Sequence, residues 1–295
     1  MTARVALVFG GSGQIGRALL ARLVQQGWQC LAVSREPRED LAGVRWLVGN
    51  LDPARAPHNL PARCDAIFSC GPLDLFSEWY ARCRIECGRV LAFGSTSRDV
   101  KRNADDPGER ALADVLRRAE DRVFDAASGR GAAPTLLRPT LIYGAGRDAN
   151  LTRIAQLAAR ARFFPLPRNA TGLRQPVHVE DLATAAAAAA DSPATHGNAY
   201  ALPGGETLEY REMVARTLAA LSPQPRLVEL PGPLFRLMLT TAQATGRLQG
   251  LPPGAIARMR EDLVFDPTPA QRDFGYTPRP FHPTAETFFP HSASA

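Results

Sequence analysis

The sequence has almost no lysine. Of its 35 basic residues 34 are arginine, and Lys101 alone is lysine. Any chemistry that needs a lysine must use Lys101 or be abandoned. Long apolar runs are missing too, since no stretch approaches the roughly 18 uninterrupted apolar residues of a membrane span. The segment Leu234 to Leu239 is short and carries Arg236. No leader is expected, because Arg4 to Gly10 reads directly as a strand where a signal peptide needs a longer apolar region and a cleavage site. Cysteine is sparse and odd in number: Cys30, Cys64, Cys70, Cys83 and Cys87 follow no zinc spacing. Cys83 and Cys87 sit four apart, but nothing suitable completes a metal site, so no metal is expected. The expectation is a reduced, cytoplasmic protein with buried thiols. Concentrated positive charge is absent as well. The net charge is +6, yet the basic residues are interleaved with 29 acids. This argues against nucleic acid as a partner, and the arginine bias fits the codon usage of a GC-rich genome.

What is present is alternation. Short apolar runs at Val5–Phe9, Cys30–Val33, Val44–Val48, Ala66–Cys70 and Val90–Phe93 read as strands. Amphipathic stretches at Ile15–Gln26 and Glu109–Ala127 read as helices, and Thr135–Leu137 leads into a sixth strand near Leu141-Ile142. This is the pattern of a parallel sheet covered by helices. The fold class is α/β, a Rossmann-like doubly wound parallel sheet, with seven strands expected. From about Asn150 helical stretches at Leu151–Arg162, Val179–Ala190 and Tyr210–Leu221 are broken by proline-rich joints. Residues 1–150 therefore read as a dinucleotide-binding domain. Residues 151–295 read mainly as a small C-terminal substrate lobe, with a strand near 199–202 returning to the sheet.

Directly after the first strand comes Phe9-Gly10-Gly11-Ser12-Gly13-Gln14-Ile15-Gly16, opening the first helix. Glycine permits the tight turn and lets backbone approach a pyrophosphate. The helix start offers N–H groups and a positive dipole end. Gly10, Gly13, Gln14, Ile15 and Gly16 are thus candidate cofactor residues. Nineteen residues past Gly16 the second strand ends in Val33-Ser34-Arg35-Glu36. A hydroxyl and a guanidinium there, in Ser34 and Arg35, suit a 2′-phosphate, so NADP(H) is expected over NAD(H). Glu36 is the counter-indication, because it could turn toward the ribose.

The spacing Gly10-x-x-Gly13-x-x-Gly16 resembles the extended short-chain dehydrogenase/reductase superfamily, the NAD-dependent epimerase/dehydratase family. Further similarities cover nearly the whole chain. Gly49-Asn50-Leu51 resembles the family's adenine-contacting turn, and Ser69-Cys70-Gly71-Pro72 its small-residue loop beside the cofactor. Gly94-Ser95-Thr96-Ser97 follows the fifth strand, where the family keeps its active-site Ser/Thr. Leu137-Arg138-Pro139-Thr140-Leu141-Ile142-Tyr143-Gly144 resembles the signature lying under the nicotinamide, and Asp273 to Arg279 resembles the C-terminal segment. The resemblance adds Asn50, Leu51, Cys70, Gly71 and Pro139 to the cofactor set. It assigns Ser95 and Thr96 to catalysis and Tyr143 to the substrate. Arg174-Gln175-Pro176-Val177-His178-Val179-Glu180-Asp181-Leu182-Ala183 is similar to a stretch of nucleotide-sugar epimerases whose arginine binds the diphosphate. Arg174 has that role or a structural pairing, and His178 between two valines reads as a packed side chain.

One feature of the family is missing. Its Tyr-x-x-x-Lys pair on the helix after the fifth strand supplies the proton, and the resemblance puts Leu112 and Leu116 at those positions. The five tyrosines, Tyr80, Tyr143, Tyr200, Tyr210 and Tyr276, lie elsewhere. Two readings follow. The first is an NADP(H)-dependent oxidoreductase or epimerase with a non-standard active site, acting on a nucleotide-sugar-like small molecule. Hydride would pass to or from a sugar carbon held by Ser95 or Thr96, and Lys101 is the leading proton donor unless it is simply solvated. The second is a non-catalytic NADP-binding sensor or scaffold. The family resemblance also makes a homodimer a reasonable expectation.

Overall fold

Strands that read as near-continuous apolar runs must be buried on both faces. Residues 6–9, 66–69 and 90–93 in the middle of the sheet are, while the edge strand Val44–Val48 leaves Val48 exposed. The structure, a computed structural model, describes residues 3–244 and 258–290. By contacts the chain forms two units. The first comprises Met1–Thr140, Val179–Leu202 and Asp266–Thr277. The second comprises Leu141–His178, Pro203–Phe265 and Pro278–Ala295. In place of one cut near residue 150, each unit is assembled from separate segments.

In the first unit β1 (Val5–Phe9), β2 (Gln29–Ser34), β3 (Val44–Val48), β4 (Arg63–Ser69), β5 (Glu86–Phe93) and β6 (Ala133–Pro139) run parallel. The strand Asn198–Leu202 joins beside β6, also parallel, to make seven. The expected returning strand is therefore present. Spatially the order is 198–202, β6, β5, β4, β1, β2, β3. The order reverses between β1 and β4, where doubly wound sheets open a crevice beyond their carboxyl ends. The sixth strand ends at Pro139, earlier than the reading near Leu141-Ile142. Residues 142–143 instead form a short strand of the second unit, paired with Val177-His178.

Helices α1 (Gln14–Gln25), α2 (Leu73–Arg82), the one-turn α3 (Ser97–Val100) and α4 (Pro107–Ser128) complete the βα units. In α1 the residues Ile15, Leu19, Leu20 and Leu23 are buried at helical spacing. They meet the helix Val179–Asp191, whose buried Ala183, Ala185, Ala186, Ala187 and Ala189 allow close approach. The alanine run is thus a packing face. On the other side of the sheet α2 and α4 lie together over Phe9, Phe76, Trp79, Val123 and Leu136. Phe9 and Trp79 have ring centroids 4.3 Å apart.

Arg89 on β5 anchors the alanine-rich helix. Its guanidinium donates to the carbonyls of Ala189 and Ala190 at the helix end, at 2.7 and 3.2 Å. It also reaches Ala133 O, Thr135 Oγ1 and Thr195 Oγ1. A cation there satisfies carbonyls that the helix itself leaves without partners. Arg89→Met is expected to cost about 3 kcal/mol or more. That is a drop on the order of 10 °C in Tm, which calorimetry would detect.

The second unit packs the helices Leu151–Ala161 and Tyr210–Ala219 around Leu151, Ala158, Leu166, Met213, Phe281 and Phe288. The strand Phe163–Pro167 pairs in parallel with Arg226–Leu230. Asp148, 8% exposed, accepts from the N–H groups of Asn150 and Thr152 and so caps the first of these helices. No helix among the described residues is long and apolar enough to cross a membrane.

Candidate dinucleotide and active site

At the switch point of the sheet the glycine loop forms a cradle. Gly10 has φ +71°, and a Cβ there would stand 2.9 Å from Cys70 C and Gly71 N of the loop after β4. A Cβ on Gly16 would lie 2.1 Å from Gly10 O, so helix and strand meet too closely for any side chain. Gly13 N–H donates to Gly10 O at 2.9 Å, and Arg17 N–H donates to Gly13 O. No side chain caps α1. The N–H groups of Gln14, Ile15 and Gly16 thus stand at an uncapped helix start, the arrangement that receives a phosphate. Two buried side-chain atoms on the elements that border the cradle, Gln14 Oε1 at the start of α1 and Ser69 Oγ at the end of β4, have no hydrogen-bond partner within the protein. Ile15 itself is 6% exposed and can contribute only backbone. A tight glycine cradle with an uncapped helix start and orphaned polar atoms fits a dinucleotide pyrophosphate.

The loops around the cradle are placed as follows. Leu51 Cδ1 would be 3.7 Å from a Cβ on Gly71, so the turns after β3 and β4 meet. Asn50 Oδ1 accepts from Asp52 N–H at 2.8 Å and shapes its own turn. Cys70 N–H donates to Phe9 O, and burial pushes the Cys70 thiol up to about 12, which keeps it protonated. Ser34 is 5% exposed, and its Oγ accepts from Glu36 N–H at 3.3 Å and Arg38 Nε at 3.2 Å. Arg35 is exposed, while Arg38 lies over the Trp46 ring. Arg38 was not legible as a neighbour of Ser34 because the turn joining them is irregular.

Beyond β5 the chain turns through Gly94 to Ser95, Thr96 and the short α3. Thr96 is 8% exposed, and its Oγ1 donates to Pro139 O at 3.2 Å. Pro139 thereby ties the end of β6 to this loop. Ser95 is half-buried, and its Oγ accepts from Ser97 N–H at 3.1 Å. This arrangement leaves the Ser95 O–H to donate to a substrate oxygen. Lys101 ends α3, with Nζ 3.6 Å from Glu109 Oε1.

Beneath this loop lies a charge cluster that the sequence did not reveal. Glu120, 1% exposed on α4, accepts from Arg138 Nε at 2.9 Å and from Arg138 Nη2 at 2.5 Å. Arg98 Nε stands 2.8 Å from the same carboxylate, and Asp99 lies 2.7 Å from Arg98 Nη1. A Cβ on Gly94 would be 3.1 Å from Glu120 Oε1. The cluster holds the catalytic-loop candidates to β6 and α4. Leu112 is 41% exposed on α4, so no acid or base replaces it there.

Two site candidates belong to the second unit. Tyr143, 2% exposed, packs edge-on against His178 and Phe281, with centroids 5.1 and 5.0 Å away. His178 fills the space beside Gly144, where a Cβ would lie 2.3 Å from its Nε2. Arg174 is 4% exposed, and its Nη1 donates to Leu173 O and Glu261 O, both at 2.7 Å. Its Nη2 donates to Arg258 O, and its guanidinium lies over the Tyr210 ring. Of its two sequence readings, the structural pairing is the one these contacts display. Among the described residues no group of three or more His, Cys, Asp or Glu could hold a metal ion.

Strand order, cradle and loop define a dinucleotide-binding protein of the Rossmann type. Residues 6–79 match the model of the NAD dependent epimerase/dehydratase family. It is 29% identical to the 2-alkyl-3-oxoalkanoate reductase of Stenotrophomonas maltophilia (strain K279a), over 92% of this chain and 94% of that protein. Among solved structures, MoeE5 in complex with UDP-glucuronic acid and NAD has a TM-score of 0.67 at 18% identity, over 94% of each chain. The Bordetella bronchiseptica enzyme WbmF in complex with NAD+ gives 0.67 at 18%, over 94% of this chain and 88% of that one.

These structural relatives hold NAD or NAD+, which overturns the expected preference for NADP(H). A physical reason lies at the end of β2. Ser34, whose hydroxyl was offered to a 2′-phosphate, is only 5% exposed, and Glu36 follows in the same turn.

Proposed function

We propose that the protein is an NAD(H)-dependent oxidoreductase or epimerase acting on a nucleotide-sugar-like substrate. The observation that carries this reading is the glycine cradle between β1 and β4, in one unit with the Ser95–Thr96 loop after β5. NAD bound there supplies a hydride acceptor, or as NADH a donor, at its nicotinamide ring. The chain's own part is positioning. Backbone N–H groups of Gln14, Ile15 and Gly16 take the pyrophosphate. Ser95 donates its hydroxyl hydrogen to the substrate oxygen. Thr96 and Pro139 fix the loop, and the Glu120 cluster supports it. Lys101, held by Glu109, is the proton donor in this reading, since Leu112 and Leu116 carry no proton to give. MoeE5 and WbmF, whose folds this chain shares, include complexes with UDP-glucuronic acid and with UDP, which supports the substrate class. Arg174 serves here as a tie between Leu173 and residues 258–261.

A second reading, reduction of a 2-alkyl-3-oxo acid, is favoured by the Stenotrophomonas relative. The test is NADH oxidation or NAD+ reduction against UDP-sugars and against 2-alkyl-3-oxo acids. Turnover of UDP-sugars is expected, and turnover of the oxo acids alone would replace the first reading by the second. Tight NADH binding with no turnover on either panel would point to a non-catalytic NAD-binding sensor. Lys101→Met is expected to lower kcat about 10²-fold or more. An unchanged rate would remove Lys101 from the chemistry.

A further inference from the structure

The opposite end of the sheet from the cradle carries a thiol pair that the dinucleotide chemistry does not use. Cys64 is the second residue of β4 and Cys87 the second of β5, and the parallel register sets them side by side. Neighbouring strands lie about 4.7–4.9 Å apart. This falls inside the roughly 4.4–6.8 Å between Cα atoms that a disulfide spans. Registered partners also project from the same face, so the two thiols need no strand movement to meet.

The pair is asymmetric. Cys64 is 3% exposed, whereas Cys87 is only half-buried. The two thiols act on each other: the Cys64 side chain holds the Cys87 thiol below its ordinary range, while Cys87 and burial raise that of Cys64. When protonated, Cys87 donates to Arg89 O at 2.8 Å. The other cysteines lack this combination. Burial pushes Cys30 and Cys70 up to about 12. Cys83 is 8% exposed, its thiol also raised by burial, with Sγ accepting from Ile85 N–H. A thiolate that is partly exposed and stabilised by a donor is the reactive kind, and a buried protonated neighbour is suited to resolve it.

From this geometry we infer that Cys87 and Cys64 form a hydroperoxide-oxidisable pair, a modification site on the first unit separate from the dinucleotide cradle. The Cys87 thiolate attacks an oxygen of the hydroperoxide and breaks the O–O bond. Cys87 becomes a sulfenic acid, and the departing oxygen leaves as water or an alcohol after taking a proton. The Cys64 sulfur then attacks the Cys87 sulfur. An S–S bond forms, the S–O bond breaks, and hydroxide leaves with the Cys64 proton as water. Two thiols are oxidised by two electrons, and the hydroperoxide is reduced by the same two.

The experiment treats the full chain with hydrogen peroxide, alkylates the remaining thiols, and digests without reduction before mass spectrometry. The expected product is a Cys64–Cys87 linked peptide pair, two hydrogens lighter than the sum of its parts and split by dithiothreitol. In Cys64→Ser the sulfenic acid should persist on Cys87 and be trapped by dimedone, at least about tenfold faster than any adduct at Cys30. Recovery of both thiols in alkylated form after peroxide would overturn the pair. So would a linkage of Cys87 to Cys83. Circular dichroism of Cys64→Ser keeps a folding failure distinct from lost chemistry.

Discussion

Gly13→Leu is expected to abolish measurable NADH binding while leaving the fold in place. The position lies just before α1, and its Cβ would stand 3.1 Å from Gly10 O, close enough that the loop must shift. The branched remainder of the side chain would occupy the space in front of the N–H groups of Gln14, Ile15 and Gly16. Each charge-assisted hydrogen bond from such a group to a phosphate is worth about 1.5–3 kcal/mol. Loss of two of them corresponds to roughly 10²–10⁴-fold in Kd. Isothermal titration of NADH against wild type and variant measures this directly. Unchanged affinity with an intact melting transition would place the cofactor elsewhere. Gly16 is a poorer test, because its Cβ would overlap Gly10 O and disrupt the strand–helix junction itself.

Glu120→Ala should be the most destabilising single change in the first unit. It removes the mostly buried carboxylate shared by Arg138 and Arg98, leaving the two guanidiniums with only the more exposed Asp99 between them. Breaking a buried pair by deleting one partner costs about 3–5 kcal/mol. In a chain of this size that lowers Tm by on the order of 10 °C or more. Activity should fall along with stability, because Arg138 adjoins Pro139, which holds Thr96. Glu120→Gln keeps the size and some of the hydrogen bonds, and is expected to lose less. Equal melting temperatures for wild type and Glu120→Ala would show that the cluster carries no net stability.

The sheet was legible because each strand is an apolar run bounded by turn residues, and parallel strands buried on both faces leave that trace whatever their neighbours. The cradle was legible because glycine spacing, strand and helix are contiguous in sequence. Helix α2 was passed over. Its apolar residues Leu73, Phe76 and Trp79 lie between polar ones in a short segment, and only α4 and the sheet reveal their common face. Glu120, Arg98 and Arg138 are 18 to 40 positions from one another's partners or on separate elements, so no local pattern joins them. Arg89 reads in sequence as an ordinary strand arginine, and its partners at Ala189 and Ala190 lie a hundred residues away. The cofactor preference was misjudged for a related reason. A hydroxyl followed by a guanidinium says which groups are available, not that Ser34 is buried at the end of β2.

The interleaving of segments has a consequence for modularity. The apolar face of α1, from Ile15 to Leu23, closes on a helix that the chain makes only after residue 178, and the seventh strand comes later still. Cutting the gene at residue 150 would give a fragment with the whole glycine motif but with α1 uncovered and β6 left as a bare sheet edge. Such a piece is more prone to aggregate than to bind nucleotide. The dinucleotide half therefore cannot be exchanged or borrowed by simple recombination at its apparent border, and it is inherited together with the lobe whose segments interrupt it.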